Sequence, residues 1–238
     1  MVWLWISAAP SFLYCDPPDW IWSLCPVNGH PQFFAFCPRL LKREKELSLC
    51  LEKAASQASK YKGVSVNAGT FYRKKSFMSK YLITLAIDFN RELAAQLLSD
   101  LAIEREYRDE SGTYIISELM TDTMDSTLCN AINSPDHGEW KNEGVVIKGY
   151  YTAVGIAARR RLLSDSIDAA DNNAIIELSR QVSSALASGA ERGNLFGYES
   201  SEVRLNGFYI LKRSVSDDKR YYYSLAVCPD VSTRHLSE

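Results

Sequence analysis

The feature that most constrains this chain is a pattern that occurs twice. The stretches "FFAFCPRLLKREKELSLCLEKAASQASKYKGV" (33–64) and "YYTAVGIAARRRLLSDSIDAADNNAIIELSRQV" (150–182) each open on two aromatics and a short apolar run. Each run reads as a strand that ends at a Pro or Gly (Pro38, Gly155), and a basic stretch and an alanine-studded segment follow. In the first, Leu47, Leu51, Ala54, Ala58 and Tyr61 recur at three- and four-residue steps, the period of one buried helix face. In the second, Ile167, Ala170, Ala174 and Leu178 do the same, and a shift of 116 residues lays 51, 54 and 58 on 167, 170 and 174. The spacing predicts helices over 40–62 and 163–186. Their small alanines call for close approach to a sheet.

The repetition extends in both directions. "PPDW" (17–20) faces "SPDHGEW" (134–140). Downstream, "LAIEREYRDESGTYIISELM" and "GFYILKRSVSDDKRYYYSLAV" read as hairpins turning at "DESG" and "SDDK". Tyr114 and Ile116, like Tyr221 and Tyr223, alternate as a half-buried strand requires. The expected fold is therefore α+β, with two tandem related units, each a helix packed on a small antiparallel sheet. The units span 17–130 and 135–230, between a signal or tether segment (1–16) and a tail (231–238). The polar stretch 130–144 is the junction. The first copy alone carries an inserted segment with a strand near 80–88 and a short helix near 91–99. The small, polar counterpart in the second copy, 183–205, reads as a loop.

Composition narrows the function. With 27 basic and 29 acidic residues the net charge is -2, so no global field draws the chain to nucleic acid. Six cysteines (Cys15, Cys25, Cys37, Cys50, Cys129, Cys228) form no C-x-x-C pair, and His30, His137 and His235 are scattered. That spacing gives no metal site, and no cofactor motif is present. An even cysteine count permits disulfides in an oxidising compartment, with connectivity left open.

No nucleophile elbow, Walker loop, H-E-x-x-H or G-x-G-x-x-G occurs, so no catalytic residue is assigned. Asp217 and Asp218 fit a hairpin turn for local reasons. Glu104 and Glu106 share a strand face and read as its solvent side. Met120 and Met124 are too few for a binding stripe. Arg159, Arg160 and Arg161, with Arg39, Lys42, Arg43 and Lys45 in the first copy, stand at helix starts, where an anion could bind. Without a glycine-rich loop they read instead as a solvated face with Glu44, Glu46, Asp165 and Asp168 as partners. Of Tyr221, Tyr222 and Tyr223, successive in one strand, at least one ring must point outward.

The N-terminus, "MVWLWISAAPSFLYC", is apolar over the length of a signal-peptide core and too short to span a bilayer. No basic residue precedes the run. "AAPS" offers cleavage after Ser11; a buried N-terminal segment is the other reading.

Pro18-Asp19-Trp20, "YYTAVGIA" (150–157), "SIDAADNNAIIELSRQV" (166–182) and "RYYYSLAV" (220–227) together resemble the Lpp-twenty lipoprotein family of bacterial envelopes, the second unit more closely than the first. The resemblance implies export, a small α+β domain and a lipid anchor on Cys15. "SFLYC" departs from the family pattern by placing Tyr14 where a small residue precedes the lipidated cysteine. The functional expectation is a non-catalytic envelope protein of periplasm or outer membrane, acting in binding or assembly with envelope proteins. It would be membrane-held only through Cys15 and have no nucleic-acid partner. The alternatives are a periplasmic small-molecule binder using the groove between units, and an enzyme whose site is built from dispersed residues.

Overall fold

The computed structural model describes residues 18–25, 29–71, 83–125, 128, 130, 140–187 and 198–229. In order these form β1 (Gln32–Pro38), α1 (Arg43–Lys62), β2 (Val64–Phe71), β3 (Ile83–Phe89), α2 (Arg91–Leu97), β4 (Leu101–Arg108) and β5 (Gly112–Leu119). There follow a one-turn helix α3 (Trp140–Glu143), β6 (Tyr150–Ala158), α4 (Leu163–Ala187), β7 (Tyr198–Leu205), β8 (Tyr209–Val215) and β9 (Tyr221–Pro229). Among the described residues the fold is α+β, with four helices and three antiparallel sheets ordered β1-β5-β4, β3-β2-β7 and β6-β9-β8.

The first and third sheets are wired alike. In each, the strand before the long helix pairs with the last strand of a hairpin, and the hairpin's first strand takes the far edge. Each also carries a β-bulge, between Ile103 and Arg105 in β4 and between Ile210 and Lys212 in β8. The rungs agree: Ile116 faces both Phe34 and Arg105, and Leu225 faces both Val154 and Lys212. A bulge fixes register by adding one unpaired residue and a local twist.

The helices follow the same frame. A shift of 120 residues carries Pro38 to Ala158 and Arg43 to Leu163, leaving loops 39–42 and 159–162 of equal length. Under that shift the buried α1 residues Glu46, Cys50, Ala54, Ala55, Ala58 and Ser59 fall on Ser166, Ala170, Ala174, Ile175, Leu178 and Ser179 of α4, all buried as well. A shift of 120 residues thus lays the buried face of α1 on that of α4. The 116 expected from sequence pairs Ala54 with Ala170 one helical turn out of place. A one-turn slip keeps apolar residues on the same face, so periodicity alone cannot tell the two registers apart.

Four further expectations need correcting. Gly155 does not end its strand: it lies within β6, opposite Ser224. A Cβ there would come within 2.1 Å of the Ala170 carbonyl oxygen and 2.2 Å of the Ala174 nitrogen, so glycine is what lets α4 lie this close to its sheet. The stretch 183–205 is not all loop, because its end forms β7, whose Val203 and Leu205 are buried on either side of exposed Arg204. β7 is ordered by partnership with β2, Val64 facing Leu205 and Val66 facing Val203. Strand β2 was not expected either, and α1 begins at Arg43 rather than at residue 40. The inserted strand and helix correspond to β3 and α2, the latter capped by the Asn90 side chain accepting from Leu93 N–H.

The β2–β7 ladder joins the 17–130 and 135–230 segments in one central sheet. Other contacts also cross. Tyr209 on β8 accepts from Gln32 N–H at 2.9 Å and donates to the Leu24 carbonyl at 2.5 Å. Its ring packs edge-on against Phe33 and Tyr61.

Candidate functional site

Between α1 and α4, beside the outer edge of β1, lies a cleft of about 200 Å³. β1 is an edge strand, so its carbonyls must find partners outside the sheet. Lys53 supplies one, its Nζ donating to the Phe36 carbonyl at 2.8 Å. From α1, Lys53, Gln57 and Lys60 face the cleft, and from α4, Asp168 and Asn172. Asp168 and Asn172 also line a second hollow, of about 380 Å³, on the adjoining flank of α4 with Arg160 and Ile87.

The charges perturb one another. Desolvation lowers the Lys60 pKa, while Asp171 and Asp168 pull it back up. Its Nζ stands 5.5 Å from the centre of the Phe89 ring, a cation–π distance. Desolvation raises the Asp168 pKa and the neighbouring Asp171 charge raises it further, against Lys53, Arg213 and Lys60.

Beyond the cleft, a void of about 20 Å³ shares its Phe34 and Gln57 walls and ends at Arg213. Arg213 is buried. It grips Asp171 of α4 with two bonds, Nε to Oδ1 at 3.1 Å and Nη2 to Oδ2 at 2.7 Å. Ser224 of β9 donates to the same carboxylate at 2.5 Å. The guanidinium lies 5.1 Å over the Phe34 ring, while Nη1 has no hydrogen-bond partner among the described residues. The adjoining void has room for one water beside that nitrogen.

Such a cleft can hold a small polar molecule, with two cations and an amide on the α1 wall and an anion and an amide on the α4 wall. The Ser56 hydroxyl is engaged with the Glu52 carbonyl one turn back, at 2.9 Å.

The residues singled out from sequence fall mostly elsewhere. Cys15 lies outside the described residues. Arg159, Arg160 and Arg161 are exposed, and the Arg160 backbone N–H donates to Ser166 at 2.8 Å. Arg39, Lys42 and Lys45 are exposed, and Arg43 pairs with Glu106. Glu44 and Asp165 are solvated as expected.

Glu46 is not: it is fully buried. Its carboxylate accepts from the Leu40 N–H at 2.9 Å, from Arg108 at 3.1 and 3.2 Å, and from the Thr113 hydroxyl. Burial pushes its pKa up, but these donors outweigh burial and hold it at about 2. Glu104 and Glu106 do lie on the solvent side, each engaged, Glu104 with Gln32 and Glu106 with Arg43. Asp218 orders its turn by accepting from Ser216 and from Arg220 N–H, bonds that lower its pKa. Tyr221 points outward, Tyr222 is buried, and Tyr223 is half-buried with Lys141 5.7 Å from its ring centre. Met120 and Met124 are not on a helix: Met120 is exposed in a turn and Met124 N–H bonds Gly29.

Lys53, Lys60, Asp171 and Arg213 were missed. Part of the signal was present. Asp171 sits four residues after Ile167 and three before Ala174, a carboxylate on an apolar stripe, and Glu46 stands one turn before Cys50 in the same way. A charge on a buried face requires a partner, and sequence does not say which.

Comparison with protein-family models, with curated proteins and with solved structures finds no match. Among the described residues no helix is long and apolar enough to cross a membrane, and no group of three or more His, Cys, Asp or Glu is placed to hold a metal ion.

Proposed function

We propose that this chain is a non-catalytic binding protein of the bacterial cell envelope, built from two copies of one β-α-β-β-β module, with its ligand site in the cleft between α1 and α4. The observation that carries the binding reading is the cleft itself, with Lys53, Gln57 and Lys60 on one wall and Asp168 and Asn172 on the other. The module reading is supported by the common wiring, the bulge on the same rung and the 120-residue register of helix faces. The non-catalytic reading is supported by the two buried carboxylates, Glu46 and Asp171, each saturated by structural donors. The envelope reading rests on the N-terminal apolar stretch and the Lpp-twenty resemblance.

Thermal melts of the purified chain against the common amino acids and small dicarboxylates test the site. A ligand of the native state raises the melting temperature with concentration. The expected result is a saturable rise that Lys60→Ala or Asp168→Asn removes. No rise with any of these compounds at millimolar concentration overturns the assignment. Fractionation of native cells tests location: Cys15→Ser should move the protein from membrane to soluble envelope fractions, and an intact Met1 recovered from cytosol refutes export.

A further inference from the structure

Two buried thiols lie against each other where α1 crosses β1. Cys37 is the penultimate residue of β1 and faces Thr113 across the ladder. The Cys50 thiol reaches the carbonyl of that same Thr113 at 3.4 Å, so both thiols meet at one rung of the ladder, close enough for each to shift the other's pKa. Both are sealed from solvent. Under the 120-residue shift their counterparts are Ala157 and Ala170, also buried. A single buried cysteine does the work of a small apolar residue. Here both neighbours are cysteine, and the residues at the equivalent positions are both buried alanines.

We propose that Cys37 and Cys50 form a disulfide that staples β1 to α1 when the chain folds in an oxidising compartment. The oxidant is another disulfide, either a low-molecular-weight one or that of a thiol oxidoreductase. One thiolate attacks it to give a mixed disulfide, and the second thiolate displaces the remaining thiol. Two protein thiols lose two protons and two electrons, and the oxidant's disulfide becomes two thiols. The exchange belongs to folding rather than to the finished fold. Once α1 covers β1, burial raises both thiol pKa values, Cys50 to about 12, and a protonated, inaccessible thiol does not exchange.

The test is to refold the reduced, denatured full chain in a mixed glutathione buffer and map its disulfides. Phe36 and Arg39 flank Cys37, and Lys45 and Lys53 flank Cys50, so trypsin with chymotrypsin isolates each thiol. The expected product is a cross-linked 37–50 peptide pair lighter by two hydrogens. The oxidised protein should melt about 5–10 °C above the same chain refolded with excess reductant. The double variant Cys37→Ala, Cys50→Ala should melt alike in both buffers. Recovery of native fold with both thiols alkylated after denaturation overturns the proposal, as does a cross-link from either one to a different cysteine. The mapping uses the unmodified chain and stands whether or not the variant folds.

Discussion

The β1-β5-β4 sheet with α1, in the first half of the chain, and the β6-β9-β8 sheet with α4, in the second, are wired alike but neutralise a buried charge at different places. In the first, the carboxylate is Glu46 in the first turns of α1, held by Arg108, Thr113 and the Leu40 N–H. The positions corresponding to Glu46, Arg108 and Thr113 hold Ser166, Val215 and Tyr222; Ser166 still accepts from the Arg160 N–H and its hydroxyl donates to the Leu162 carbonyl at 3.2 Å. In the second half the carboxylate is Asp171, five residues further along its helix, held by Arg213 and Ser224. The corresponding first-half residues are Leu51, Glu106 and Ile115, of which Glu106 has turned outward to Arg43. The common wiring of the two sheets therefore accepts a buried carboxylate at either position, provided its donors arrive with it. The pairs also differ in reach. Arg108 stays within its own half, whereas Arg213 lies over Phe34 of the other.

The largest expected effect comes from breaking the second pair. Arg213→Met leaves Asp171 buried without its main partner and should cost about 3–5 kcal/mol in urea unfolding. The double variant Arg213→Met, Asp171→Leu should recover most of that loss, because apolar residues of similar size often match a buried pair. If the single variant is no less stable than wild type, Asp171 is not held as described.

Next is the helix–sheet spacing. Gly155→Ala puts a methyl into the backbone of α4 and should cost about 3 kcal/mol. Its counterpart change, Ala35→Gly, only loosens a strand and should cost about 1 kcal/mol. Equal losses would mean that the two helices stand equally far from their sheets.

The third effect is set by pH. Glu46 has a folded pKa of about 2 against an ordinary 4.5, so it stabilises the fold above the ordinary value and loses that contribution as pH falls through 4.5 towards 2. Wild type should exceed Glu46→Gln in stability at pH 6, with the gap narrowing steadily below pH 4.5. A gap independent of pH over that range would show that the carboxylate is not charged in the fold. The smallest effect is at the second-half equivalent, where Ser166→Ala removes one acceptor from Arg160 N–H, at about 1 kcal/mol and without pH dependence.

The sequence by itself determined the α+β class, the two long helices with their buried alanine stripes, and the two hairpins. Each is a short-range pattern, written in steps of two, three or four residues and in turn chemistry. The tertiary structure decided everything that depends on which distant residue faces which. It laid the buried face of α1 on that of α4 at a shift of 120 residues, where periodicity allowed 116 equally well, because a one-turn slip leaves an apolar stripe unchanged. It made a strand of 198–205 by supplying β2 as its partner. It buried Glu46, which sequence read as solvated, because donors from β4, β5 and the preceding loop converge on it. The cleft was beyond the sequence for the same reason. Lys53 and Lys60 look like any solvated helix lysines until α4 brings Asp168 and Asn172 across from them, more than a hundred residues away in the chain.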